Sequence, residues 1–183
     1  MVSCRCPRRP SPARLLGWLG LLGAAAMVAC TTGSAAAPGR VRADALTFAL
    51  PDLHGRLVRP QDYRGRVVLV DVWATWCKPC SQSLPFYARL SRALAPQGLV
   101  VLSVSIDEDD DDVRQFVAER PLPFVVLRDP RGTVPRRLDS DAMPAAVLIG
   151  RDGRARLVHA GFRDGDQAQL ESAIRRALAE PVP

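Results

Sequence analysis

Val67-Val68-Leu69-Val70-Asp71-Val72 runs apolar and β-branched with no polar alternation. A strand wetted on one face alternates, so an unbroken run of this kind reads as a strand buried on both faces. Leu99 to Ile106 reads as a second buried strand. Between them Leu84, Tyr87, Leu90 and Leu94 repeat at helical spacing from Pro79 onward, and Gln97-Gly98 ends the pattern. Two buried strands joined by a helix make a right-handed βαβ unit with the strands parallel. Asp107 to Asp112 leads into a short helix through Glu119, and Phe124 to Leu127 reads as a further strand. Ala146 to Ile149 and Leu157 to Ala160 flank Arg151-Asp152-Gly153-Arg154, an antiparallel hairpin with an Asp-Gly turn. Leu170, Ala173, Ile174, Ala177 and Leu178 stripe a closing helix. Upstream, Phe48-Ala49-Leu50 and Leu57-Val58-Arg59 flank Asp52-Leu53-His54-Gly55 as a small hairpin. The expected fold is α/β: a mixed central sheet with helices on both faces, an N-terminal β-hairpin and a central α-β insertion.

The start of the chain reads differently. Arg5, Arg8, Arg9 and Arg14 form a basic head, and Leu15 to Met27 follow as an apolar run. That run fits an export signal and falls short of the roughly 20 residues of a spanning helix. Met27-Val28-Ala29-Cys30 resembles a bacterial lipobox, in which the cysteine is acylated and becomes the new N-terminus. Ordinary cleavage near Ser34-Ala35-Ala36-Ala37 is the competing reading and would leave a soluble periplasmic protein. Thr31 to about Arg42 is Ala-, Gly-, Ser- and Pro-rich, as a flexible tether is. The expected organisation is a signal peptide over 1–29, a tether over 30–43 bearing a lipidated Cys30, and one domain over 44–183.

Cysteine count bears on function more than overall charge does. Cys4 and Cys6 leave with the signal and Cys30 would carry lipid, so Cys77 and Cys80 remain. Two cysteines this close enclose almost no loop and cannot staple a fold. In an oxidising compartment a lone C-x-x-C is therefore a chemical motif. A zinc site would want four ligands, and neither a second C-x-x-C nor a nearby histidine is present, so no metal and no cofactor is expected. The net charge of +6 includes the four head arginines, leaving about +2 for the rest. The basic residues are scattered and lack aromatic interleaving, which does not describe a nucleic-acid binder.

Dithiol chemistry needs an attacking thiol and a partner within disulfide reach. Cys77 at a helix start, with Cys80 three residues later, shares one helix face with it. The helix N-terminus carries roughly half a positive charge and favours the Cys77 thiolate. Lys78 adds a full charge beside it, and Pro79 suits a first helical turn, where a missing N–H costs nothing. Cys77 is thus expected to be the exposed, attacking thiol and Cys80 its buried partner.

Val70-Asp71-Val72-Trp73-Ala74-Thr75-Trp76-Cys77-Lys78-Pro79-Cys80 closely resembles the active-site strand and turn of the thioredoxin superfamily. Asp52-Leu53-His54-Gly55-Arg56, Asp62-Tyr63-Arg64-Gly65 and the Ala-Thr-Trp-Cys spelling resemble its TlpA/ResA-like branch, from about Phe48 to the last helix. The resemblance implies a thioredoxin-like fold and a membrane-tethered, extracytoplasmic thiol–disulfide oxidoreductase. Its partners would be protein thiols and disulfides in the periplasm and a membrane electron donor, the working form a monomer, and its direction that of a reductase. It also implies roles for particular residues. Asp71 would be a buried carboxylate beneath Cys80 that takes its proton, and Pro85 a helix kink. Met143-Pro144 would carry a cis-proline facing the disulfide, and Trp76 would shelve over Cys77 as an apolar docking surface.

Two departures stand beside the motif. The branch often has glutamate where Ser83 stands, and two threonines where Ala145 and Ala146 stand. The first weakens an assignment to cytochrome maturation, and both bear on the partner rather than on the chemistry. His54 and His159 have no partner visible in the sequence. Two other chemistries compete with exchange. A peroxiredoxin wants Pro-x-x-x-Thr-x-x-Cys, whereas Thr75 is two before Cys77 with no upstream proline. A copper-handling module on the same scaffold usually has wider cysteine spacing and a distal histidine.

Overall fold

The computed structural model describes residues 46–183. The signal, Cys30 and the tether lie outside the described residues. Strand β3, Val67–Trp73, is buried at every position and occupies the centre of a five-stranded sheet. It pairs in parallel with β4, Leu99–Ser105, in the register Val67↔Leu99 to Trp73↔Ser105. On its other side it pairs antiparallel with β6, Ala145–Ile149, from Val68↔Ile149 to Val72↔Ala145. β5, Val125–Arg128, lies parallel to β4, and β7, Ala155–Ala160, antiparallel to β6, giving the order β5-β4-β3-β6-β7. The short hairpin β1, Leu50–Pro51, with β2, Leu57–Val58, forms its own two-stranded sheet. An Asp52↔Leu127 bridge fastens that hairpin to β5.

Alternate side chains of β3 serve two cores, which is why the run has no polar phase. Val67 and Leu69 pack with Tyr87, Leu90 and Leu94 of α1, Cys80–Leu94, and with Leu170 and Ile174 of the last helix, α4, Asp166–Ala179. Val68, Val70 and Val72 pack on the opposite face with Leu46, Phe48 and Leu50 and with Val134 and Leu138. Each fully buried Leu or Ile of these cores contributes about 1.5–3 kcal/mol. The two helices between β4 and β6 are α2, Asp110–Glu119, and α3, Thr133–Arg137. α2 and β5 form the expected central insertion. The four expected apolar positions of α1 and all five of α4 are buried. The sequence reading held no helix at Thr133–Arg137. That single turn is capped from outside itself: the Asp129 carboxylate accepts from Thr133 Oγ1 and from the Val134 backbone N–H. α1 passes through the short 3-10 turn Ala95–Gln97 and ends at Gly98, whose φ of +104° suits a residue without Cβ.

Candidate active site

β3 delivers the chain to the redox pair. After Trp73 the backbone turns, with the Cys77 N–H donating to Ala74 O at 3.1 Å. Cys80 N–H then donates to Cys77 O, Ser81 N–H to Lys78 O and Gln82 N–H to Pro79 O, and these turns lead into α1. Cys77 therefore stands one turn ahead of the first helical residue, and Pro79 occupies the N-cap. Cys77 and Cys80 are joined as a disulfide with a Cα–Cα distance of 5.3 Å. The Cys80 N–H also points at Cys77 Sγ, 3.3 Å away. The same N–H, shared with Cys77 O, is placed to donate to a Cys77 thiolate.

The expected open sulfur is not found, because both cysteines are buried. Cys80 is 1% exposed and Cys77 only 7%. Trp73, Ala74, Leu84, Val113 and Val126 surround the pair, with Met143 packed against the same cluster. The open group is instead Trp76, at 66%. Lys78 and Pro79 are exposed beside it. Met143–Pro144 is cis, Pro144 is buried, and its carbonyl accepts from Gly161 N–H at 2.7 Å at the entry to β6. Pro85 lies on the exposed side of α1, and Ser83 is buried with Oγ donating to Cys80 O at 3.3 Å.

Asp71 is wholly buried, and neither carboxyl oxygen has a hydrogen-bond partner. It lies level with Ser103 on β4 and Ala146 on β6. Strand alternation puts it on the face of Leu69 and Trp73, beneath α1, where it also acts electrostatically on Tyr87. Burial lifts its pKa well above the ordinary carboxylate value. Trp73 Nε1 and Ser103 Oγ are also buried without partners. A carboxyl in such surroundings holds its proton to higher pH than an exposed one does.

A second polar group by the turn was absent from the sequence reading. Asp107, which read as one of a run of helix-start acids, is 2% exposed. Its carboxylate accepts from Thr75 N–H at 3.1 Å, from Thr75 Oγ1 at 2.6 Å and from Ser105 Oγ at 2.7 Å. Arg128, 3% exposed at the end of β5, donates to Ser105 Oγ, to Asp107 O and to Asp110 Oδ1. The only hint in the sequence is a charged residue closing an apolar strand run. Asp109 to Asp112 do behave as helix-start acids, with Asp109 capping α2 through Asp111 N–H. His159, which looked solitary, meets Asp166 at 3.0 Å, whereas His54 only donates its backbone N–H to Asp52.

A sequence model of the AhpC/TSA family matches residues 41–158. Among curated proteins, the thiol-disulfide oxidoreductase ResA of Bacillus thuringiensis subsp. konkukian is 31% identical over 111 residues, 61% of this chain and 64% of the relative. The chain thus spans somewhat less than two thirds of that relative's length. Among solved structures, a protein assigned as the thiol:disulfide interchange protein DsbE of Chlorobium tepidum superposes with a TM-score of 0.69 and 39% identity. That match covers 72% of this chain and 93% of the other. The exposed lipoprotein thioredoxin of Streptococcus pneumoniae superposes with a TM-score of 0.60 and 26% identity, over 70% of this chain and 98% of its own. With a redox pair at the head of α1 and a thioredoxin-like sheet behind it, the chain belongs to the AhpC/TSA family, on its ResA-like branch.

Proposed function

We propose that the chain is an extracytoplasmic thiol–disulfide oxidoreductase that reduces protein disulfides with its Cys77–Cys80 dithiol. The observation that carries this reading is the pair itself: two sulfurs in bonding distance at the start of α1, one more covered than the other. The Cys77 thiolate attacks one sulfur of a client disulfide, the S–S bond breaks, and the first client thiolate leaves. Where Asp71 is ionised, Cys80 gives its proton to that carboxylate and attacks Cys77 Sγ. The second client thiolate then leaves and takes up a proton. Two electrons have passed to the client, and the chain is left as the disulfide. A dithiol partner at the membrane restores the reduced form.

Three observations support the finer points. Where it is ionised, the enclosed Asp71 carboxylate disfavours a thiolate charge on the pair, which weakens the dithiol form relative to the disulfide and makes the pair a reductant. Lys78 pushes the other way, but it is exposed and screened. Exposed Trp76, next to Cys77, offers a client an apolar platform, and the Met143–Pro144 edge lies against the same cluster. For location, a basic head, an apolar run and Cys30 precede the domain in this sequence, and the pneumococcal neighbour is described as an exposed lipoprotein. Peroxidase chemistry is disfavoured, because the Pro-x-x-x-Thr-x-x-Cys pattern is missing around Cys77. Equilibration of the purified chain in thiol redox buffers is the test. The expected reduction potential is more negative than about −230 mV; a value near −120 mV, the range of a strong oxidant, would overturn the direction.

A further inference from the structure

The Asp107 network lies outside the reacting sulfurs but ends two residues from one of them. Its members are costly to bury. An Asp and an Arg, each almost wholly enclosed, are tolerated only when their polar atoms are paired, and here they are. What they pair with is informative. The Thr75 N–H that donates to Asp107 belongs to the same planar peptide as the Ala74 carbonyl. That carbonyl accepts the Cys77 N–H. Pinning one side of the peptide plane therefore aims the other side at Cys77. The Thr75 hydroxyl gives Asp107 a second hold on the same residue. Behind it, Ser105 Oγ donates to the Asp107 carboxylate and accepts from Arg128. Arg128 in turn reaches the first turn of α2 at Asp110, 2.6 Å away.

We propose that Asp107 is a positioning residue for the Cys77 turn, acting through Thr75 and locked by Arg128, so that the α2–β5 insertion is part of the exchange machinery. The proposal rests on the exchange reading above. Attack by one sulfur on an S–S bond requires an in-line approach, so a turn that wanders slows the chemical step without altering how the client is held. The signature is a lower kcat at constant KM.

The experiment uses the full-length chain with dithiothreitol as reductant and insulin as the disulfide client. Two quantities are read: steady-state kcat and KM, and, without any client, the rate at which dithiothreitol opens Cys77–Cys80. Thr75→Val keeps the shape and the N–H but removes the hydroxyl; Thr75→Ser keeps the hydroxyl; Asp107→Asn removes the charge. Thr75→Val is expected to lower kcat and the opening rate about tenfold, the worth of one hydrogen bond to a charged group, with KM within about twofold. Thr75→Ser recovers most of both rates, and Asp107→Asn falls at least as far as Thr75→Val. A purely structural role would lower the melting temperature and leave both rates of the folded protein untouched. Native kcat and a native opening rate in Thr75→Val overturn the proposal, including when Asp107→Asn fails to fold. Failure of the wild type to reduce insulin, with the opening rate still lowered in Thr75→Val, overturns the exchange reading and leaves the clamp standing.

Discussion

Replacing Asp71 by asparagine should make the oxidised protein more stable, and by an amount that grows with pH. The carboxyl is fully enclosed between β4 and β6, with neither oxygen hydrogen-bonded. Burial raises its pKa well above the ordinary 3.8. In the window between those two values the unfolded chain has lost the proton and the native chain still holds it. The native state then binds more protons, so stability falls as pH rises through the window. The loss runs at about 1.4 kcal/mol per pH unit for as long as the pH lies inside that window. The asparagine of Asp71→Asn does not titrate, so the wild type should fall behind the variant at that rate across the window. Urea unfolding of both proteins at several pH values, with Cys77–Cys80 kept oxidised, reads the gap directly. Other titrating groups cancel in the difference. A gap that stays constant to within about 0.5 kcal/mol would mean that Asp71 ionises normally in the folded protein, and the account of it as a stored proton site would fail.

Three other outcomes are expected. Asp71→Asn should slow the resolution of a mixed disulfide more at pH 7 than at pH 9, where Cys80 ionises unaided; equal rates for variant and wild type at pH 7, read by quenched-flow trapping, would remove the carboxylate from the mechanism. Gly150→Ala would place a methyl group 2.6 Å from the Arg156 guanidinium carbon, pushing that side chain off Glu180, which it meets at 2.6 Å. After solvent screening is allowed for, the loss should be about 0.5–1 kcal/mol at low salt and smaller at high salt, measured by urea unfolding. Cys30→Ala should abolish fatty-acid labelling and release the chain from membranes; unchanged membrane association would favour an uncleaved anchor.

Much of this architecture was legible because it is written in local periodicity. The β-branched run at Val67–Val72 foretold a strand with a core on each side, and the stripe from Leu170 to Leu178 named the buried face of α4 residue by residue. The redox pair was legible for a different reason, since two cysteines three apart need only one turn of backbone to meet. What escaped is what no periodicity encodes. α3 is too short to show a period, contains Pro135, and owes its start to Asp129. Asp107 looks like its acidic neighbours until the fold brings Thr75, thirty-two positions upstream, onto its carboxylate. His159 meets Asp166 across the short turn from β7 into α4. The near-closure of Cys77 was missed for a similar reason. Val113 of α2 and Val126 of β5, which complete its surroundings, come from elements that no local spacing ties to a cysteine.

The assignment of roles to the two sulfurs is tested most directly by trapping. Cys80→Ser leaves the attacking Cys77 without its resolving partner, so covalent complexes with client proteins should accumulate. They should be visible on non-reducing gels and released by dithiothreitol. Cys77→Ser should accumulate none, because the enclosed Cys80 cannot reach a client disulfide. Equal trapping by both variants, or trapping by Cys77→Ser alone, would contradict the mechanism at its first step.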